Sequence, residues 1–301
     1  MISAFIGEDS FAVSEKLAEL AHGFDGAVER IDGASLQVNN LPDLLMGGTL
    51  FSQKRLVVIR DVASNSVVAE KLAEWLEKTS DDIHLVIVES KLDKRSKLYK
   101  ALKKEALVQE FVGWTEKNSR DAERWVSERS KLLKINIKPA AVGHLVRRVG
   151  TDKWALSKSL EKLQLAGSDI DANIIDDIIV PSVSENVFTL FELSLQGQAS
   201  RLLDMLRSLE LQEDAHAIFG LISSQSMQLL AVARSEPSDS PEKDLGIHPY
   251  VASKFQQQAK RYGLRKIEDI AEKVAQTDRD LKTTSVEPWL LVERLLLSIA
   301  I

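Results

Sequence analysis

The sequence contains no cysteine, and this absence excludes several kinds of chemistry at once. Without thiols there is no disulfide, no thiolate zinc site and no cysteine nucleophile. Only five histidines are present, and no two of them stand at the i, i+4 spacing that places a metal-binding pair on one helix face. We therefore expect neither a metal site nor a cofactor.

Long apolar runs are also missing. No stretch of about 18 apolar residues occurs, and the first seven residues lack the basic start and apolar core of a signal peptide. We expect a cytoplasmic chain with no membrane partner. Its net charge of -6 argues against a surface devoted to nucleic acid, so any DNA contact must be local.

What is present is a globular composition and a chain long enough for more than one domain. Hydrophobic residues make up 44% and charged residues 28% of the 301 residues. Short apolar runs alternate with amphipathic stretches in the first part of the chain, and the central runs are apolar throughout, as in strands covered on both faces of a parallel sheet. The predicted strands are residues 2–6, 27–31, 55–60, 83–89 and 107–111.

After Pro139 the sequence shows no convincing strand, and its periodicity is helical. The fold class predicted is α/β plus all-α, with a parallel-sheet α/β domain over residues 1–136. A helical domain follows over residues 137–182, and a second helical domain over residues 183–301. The last helix, from Pro288, is apolar on nearly every side, so it is buried in its own bundle or against another subunit.

A nucleotide-binding α/β domain would carry its phosphate-binding loop directly after the first strand. Such a loop has the pattern Gly-x-x-x-x-Gly-Lys-Ser/Thr, because backbone amides cradle the phosphates, the lysine neutralises them and the hydroxyl holds magnesium. Here the turn has one glycine, Gly7, no lysine, and the acids Glu8 and Asp9. Arg60 stands where an ATPase would place the first acid of its magnesium pair. We expect no catalytic residues and no ATP binding at this turn.

Residues 91–104 contain seven Lys or Arg against the single acid Asp93. Such a stretch is either a solvated helix face or a set of phosphate contacts. The residues we consider for DNA contact are Lys97, Lys100, Lys103 and Lys104.

Several segments, taken together and in order, resemble the delta subunit family of the bacterial DNA polymerase III clamp loader. They are residues 5–9 (FIGED), 49–59 (TLFSQKRLVVI), 94–104 (KRSKLYKALKK), 245–250 (LGIHPY) and 280–283 (DLKT). The resemblance implies an AAA+-like domain with a degenerate nucleotide site, a three-helix lid and a C-terminal helical collar.

The resemblance also implies partners and a site. Members of this family bind the ring-shaped sliding clamp (beta) and open it, so that it can be loaded onto primed DNA. Their collar assembles with gamma/tau and delta-prime type subunits, and ATP is bound by partner subunits of the loader. The family's exposed hydrophobic pair maps to Leu50 and Phe51, with Met46 assigned to the same clamp contact.

Two other interpretations stay open at this point. One is an active AAA+ ATPase with an atypical nucleotide loop. The other is an autonomous nucleic-acid-binding protein that uses residues 91–104.

Overall fold

The structure is a computed structural model, and it describes residues 1–47, 54–167, 169–236, 247 and 249–300. It divides into two compact units, Met1–Trp114 and Thr115–Ile301. The three-part division at residues 136 and 182 remains a prediction.

The first unit is a parallel sheet with helices on both faces. Its strands lie in the order β2-β3-β4-β1-β5, and every neighbouring pair is parallel. All five predicted strands are present, so the predicted parallel α/β domain is confirmed. The strands are β1 (Ile2–Ile6), β2 (Ala27–Asp32), β3 (Arg55–Arg60), β4 (Ile83–Glu89) and β5 (Leu107–Glu110). The helices are α1 (Ser10–His22), α2 (Leu41–Met46), α3 (Ser66–Trp75) and α4 (Lys97–Glu105).

Each central strand of the sheet buries both of its faces. In β3, Leu56 and Val58 belong to one apolar cluster, and Val57 and Ile59 to the cluster on the opposite face. Because side chains alternate along a strand, an unbroken apolar run fills both clusters. This is the physical reason why these strands are recognisable in the sequence.

The second unit is helical. Its helices are α5 (Ser119–Leu132), α6 (Pro139–Val149), α7 (Lys153–Leu165), α8 (Ala172–Ile178), α9 (Val183–Leu195), α10 (Ala199–Glu210), α11 (Ala215–Arg234), α12 (Pro249–Tyr262), α13 (Leu264–Thr283) and α14 (Pro288–Ile299). Helix α5 was not predicted from the sequence. The expectation that no strand follows Pro139 was wrong, because β7 (Asp169–Ile170) pairs in parallel with β6 (Asn136–Ile137). Two residues are too short a strand to produce a periodic pattern.

Helix starts in both units are set by capping side chains. The Asp9 carboxylate accepts the Ala12 N–H at 3.0 Å, and the Ser96 hydroxyl accepts the Tyr99 N–H at 3.1 Å. Asp152, Asp171, Ser182 and Asp214 cap helices of the second unit in the same way. A cap of this kind typically contributes about 1 kcal/mol, so these polar residues specify where helices begin.

The last helices form one continuous core. Val292, Leu295, Leu296 and Ile299 of α14 are buried together with side chains of α9, α10, α11, α12 and α13. By length and composition alone, α11 would qualify as a membrane span, and so would α8 and α9 taken together across their 108° bend. The core helix of a bundle meets the same criterion, and the apolar residues Ile218, Ile222 and Leu229 of α11 are buried in this core.

Candidate functional site

The turn between β1 and α1 lies at the carboxyl ends of the strands, where open parallel sheets bind their ligands. Three backbone amides in this turn and the first turn of α1 already have acceptors within the protein. The Gly7 N–H donates to the Glu89 carbonyl at 2.9 Å, the Asp9 N–H to the Phe111 carbonyl at 3.1 Å, and the Ala12 N–H to the Asp9 carboxylate. These three amides are therefore not free to cradle a phosphate.

Space is limited in the same turn. Gly7 has φ +146°, and a Cβ at this position would lie 1.9 Å from the carbonyl oxygen of Phe111. The chain can approach Phe111 this closely only because residue 7 has no side chain. The close carbonyl oxygen and the Glu8 and Asp9 carboxyls make the turn unfavourable for an anion.

The neighbouring strands β3 and β4 end in charged residues, and the buried acid among them makes a contact within the fold. Arg60 ends β3 exposed, and Asp61 follows with φ +55°. Glu89, at the end of β4, is only 3% exposed, and its carboxylate accepts the Ala63 N–H at 2.9 Å. Burial raises the pKa of Glu89. Glu89 thus orders the turn after β3, a role that the sequence pattern did not indicate.

Of the three proposed clamp-contact residues, one is described by the structure and two are not. Met46, the last residue of α2, is 55% exposed. Leu50 and Phe51 lie outside the described residues, so their assignment stays a prediction. The described backbone ends at Gly47 before them and resumes at Lys54.

The two ends of this interval are joined by the side chain of Arg55. Its Nη1 donates to the Asp43 carbonyl at 2.8 Å and also to the Gly47 carbonyl. Its Nε and Nη2 bind the two carboxylate oxygens of Glu29 at 2.7 and 2.8 Å. Arg55 is 6% exposed, so one buried guanidinium holds the end of α2, the start of β3 and the neighbouring strand β2.

The contact between Arg55 and Glu29 shifts the pKa of both side chains. The hydrogen bond from Arg55 lowers the pKa of Glu29, and the same bond raises the pKa of Arg55. A bidentate geometry of this kind is among the strong hydrogen-bonded ion pairs in proteins. We name residues 43–47 together with 54–55 the Arg55 anchor.

The four candidate DNA-contact lysines all lie exposed on α4, whose buried side is formed by Leu98 and Leu102. Lys97 pairs with Glu70 at 3.2 Å, and Lys104 pairs with Glu77 at 2.5 Å and with Glu105 at 2.8 Å.

Lys100 and Lys103 differ from these two lysines, since neither forms an ion pair with another described residue. Elsewhere in the stretch, Lys91 pairs with Glu8, Lys94 with Glu110, and Arg95 with Asp93. Acids from neighbouring elements, which the local sequence does not reveal, therefore offset much of the positive charge of residues 91–104.

The chain matches two family models in order along its length. Residues 4–112 match the model described as DNA polymerase III, delta subunit. Residues 184–299 match the model described as the C-terminal domain of the DNA polymerase III delta subunit. Together they cover the sheet, the Arg55 anchor and the last helical core.

Individual relatives agree with these family models. The DNA polymerase III subunit delta of Bacillus subtilis (strain 168) is 27% identical over 217 residues, which is 69% of this chain. That match spans 62% of the relative's length. The solved structure of the Bacillus subtilis DNA clamp loader delta protein (YqeN) superposes with a TM-score of 0.56 at 19% identity, covering 99% of this chain and 95% of that one.

The structural match supports the fold, an α/β parallel-sheet domain followed by helices. The two family models, at opposite ends of the chain, add the sequence relationship. The chain belongs to the DNA polymerase III delta subunit family.

Proposed function

We propose that this protein is the clamp-loader delta subunit of a bacterial DNA polymerase III holoenzyme, working in the cytoplasm. It binds the sliding clamp and opens the ring, so that the clamp can be loaded onto primed DNA. The observation that carries the proposal is the ordered match of both delta family models to one chain.

The proposed clamp contact is an apolar surface made of Met46, Leu50 and Phe51. Support comes from the exposed Met46 at the end of α2 and from the Arg55 anchor, which holds both ends of the interval that contains the other two. Fixing the two ends of a segment reduces the conformational entropy that the segment loses on binding. Anchoring therefore favours a binding role for this segment.

The same domain is proposed to act without ATP hydrolysis of its own. After β1, the amides of Gly7 and Asp9 in the turn and of Ala12 in the first turn of α1 are hydrogen-bonded within the protein. This geometry disfavours the alternative function of an active ATPase with an atypical loop. Isothermal titration calorimetry of the purified chain with ATP and Mg²⁺ should give no saturable heat. Saturable binding at micromolar ATP would instead support the ATPase.

We propose that residues 183–301 form the collar that assembles with gamma/tau and delta-prime type subunits. The support is the outer side of α14. Leu290 is 56% exposed, whereas Trp289 and Leu297 pack against the core and keep only part of their surface accessible. Partly exposed apolar side chains on a rigid helix suit an interface with another protein.

Primed DNA is proposed to be contacted within the assembled loader, with Lys100 and Lys103 of α4 as the phosphate contacts. They are the two candidate lysines without an ion pair among the described residues. The ion pairs of Lys97 and Lys104 weaken the alternative of an autonomous nucleic-acid-binding protein, because they reduce the positive potential of the helix.

The experiment that tests the proposed function is a pull-down between the purified chain and the sliding clamp of the same organism. A specific complex, competed by untagged chain, is expected. A chain that captures duplex DNA at physiological salt but no clamp would favour the autonomous nucleic-acid-binding protein.

A further inference from the structure

The second unit contains a cavity of about 650 Å³, within the size range of small-molecule sites. Its walls come from residues 115–119 at the start of α5, the end of α6, the start of α9, the middle of α11 and the start of α12. The apolar part of the lining includes Val146, Phe188, Leu221 and Val251. Nothing in the proposed clamp or DNA contacts uses this cavity.

Glu185 of α9 is an acidic residue in the lining of this cavity. Its backbone N–H donates to the Ser182 hydroxyl, but among the described residues the carboxylate forms neither a hydrogen bond nor an ion pair. The side chain is half-buried, and burial raises its pKa. Proteins rarely leave a desolvated carboxylate unpaired, because its lost hydration is not replaced.

The cations nearest to Glu185 have contacts of their own. The Arg147 guanidinium lies 3.9 Å from the ring centroid of Tyr250 and hydrogen-bonds His144 Nδ1 at 3.1 Å. Arg148 pairs with Asp176 at 2.7 Å. The cavity thus has a negative group in its wall that these neighbouring cations leave without a direct partner.

A second polar group at the cavity is also unsatisfied. Gln225 of α11 is 9% exposed, and its carboxamide forms no hydrogen bond with any described residue. Buried amides normally have at least one partner, and each exception needs an explanation. Two unsatisfied polar groups in the lining of one cavity are explained together by a ligand that supplies hydrogen-bond donors.

We propose that this cavity binds a small organic cation, a guanidinium or primary ammonium group on a short apolar stem. The charged group donates to the Glu185 carboxylate and to the Gln225 carboxamide. The stem packs against Val146, Phe188 and Leu221. The choice of a cation rests on Glu185, because Arg147 of the same lining is already stacked on Tyr250 and bonded to His144. The two other charged residues of the lining, besides Arg147, are the exposed Glu116 and Lys117.

The test is a titration of the full-length chain with butylguanidinium, followed by NMR chemical shifts. Butylurea is the matched neutral probe, with nearly the same shape and no charge. Saturable binding of butylguanidinium is expected, together with binding of butylurea that is about ten- to hundredfold weaker, as for the loss of a hydrogen bond to a charged group. Absence of saturable butylguanidinium binding, or equal binding of both probes, overturns the proposal.

Two variants test whether the charged group of the ligand binds beside Glu185. Glu185→Gln should weaken butylguanidinium binding about tenfold or more, whereas Glu116→Gln, a loss of the same charge among the exposed lining residues, should change it less than about twofold. Equal losses in both variants would mean that only the general potential of the region matters, and would contradict the assigned site.

Stability distinguishes a ligand site from a structural role. Because the unpaired carboxylate is desolvated, Glu185→Gln should leave the melting temperature unchanged or higher at neutral pH. A clear drop in melting temperature would show that Glu185 pairs with a cation of the fold and would overturn the proposal. Clamp binding is expected to be unaffected, so this site and the proposed function fail independently.

Discussion

Arg55 is a buried cation that joins three pieces of backbone. Its guanidinium binds the Glu29 carboxylate and the carbonyls of Asp43 and Gly47, so removing it leaves several acceptors without a donor. An unsatisfied buried acceptor costs about 1–3 kcal/mol, more than the contact contributes when intact. The residue therefore links the stability of the sheet to the geometry of the proposed clamp contact.

Arg55→Met should lower the free energy of unfolding by about 2 kcal/mol or more, measured by urea denaturation. Arg60→Met is the matched control. Arg60 ends the same strand but is exposed, so its loss should cost less than about 0.5 kcal/mol. Equal effects of the two variants would contradict the anchoring role of Arg55.

Glu89 gives a pH-dependent prediction. Its pKa is raised by burial, so between the ordinary value of a glutamate and this raised value the folded chain binds more protons than the unfolded chain. Stability contributed by the protonated form is lost as the pH rises through the raised pKa. Glu89→Gln keeps an acceptor for the Ala63 N–H but cannot ionise.

Urea denaturation at several pH values measures this effect. The free energy of unfolding of Glu89→Gln relative to the unmodified chain should increase as the pH rises from about 4 to 7. A difference that stays constant, or that changes in the opposite direction, would show that Glu89 ionises without penalty in the folded chain.

At the scale of elements, the strands were the most predictable part of the fold. Each central strand buries both faces, and this leaves an apolar run such as that of β4 in the sequence. Helix α5 was not identified because its buried positions include only Ala122 and Val126 as apolar side chains, beside Ser119 and Ser130. A helix with so few apolar contacts carries a weak periodic signal.

The contacts within the proposed sites were harder to predict from the sequence than the strands and helices. The absent phosphate-binding pattern was readable directly from Gly7, Glu8 and Asp9. The Arg55 anchor was not, because two of its acceptors are backbone carbonyls, which every residue possesses. Similarly, the ion pairs of α4 depend on Glu70 and Glu77, which are 27 residues distant in the chain from their partners.

The ion pairs of α4 divide its lysines into two matched sets. Charge reversal of Lys100 and Lys103 in the assembled loader should flatten the slope of log DNA affinity against log salt by about one unit per lost phosphate contact. Reversal of Lys97 and Lys104, which are ion-paired, should change the slope less. Fluorescence anisotropy over a salt series measures both. An unchanged slope in the first pair would assign α4 to an ordinary solvated surface.

At the scale of the whole molecule, family membership and local geometry support the same two proposed roles. These are clamp contact for the sheet domain and subunit assembly for the last helices. The sheet domain has a turn in which the amides of Gly7 and Asp9 are hydrogen-bonded within the protein, and Arg55 joins the described residues on either side of the proposed apolar pair. The helical core at the end of the chain presents partly exposed apolar residues on α14. This combination suits a protein that acts by binding partners.

The most direct test of this account is clamp binding by the double variant Leu50→Ala, Phe51→Ala, measured by surface plasmon resonance beside its melting temperature. Hot-spot residues are each typically worth about 2 kcal/mol, so the two losses should weaken binding about a thousandfold. The account predicts this loss with an unchanged melting temperature. Clamp binding that survives in the double variant, or a large drop in its melting temperature from loss of core packing, would contradict it.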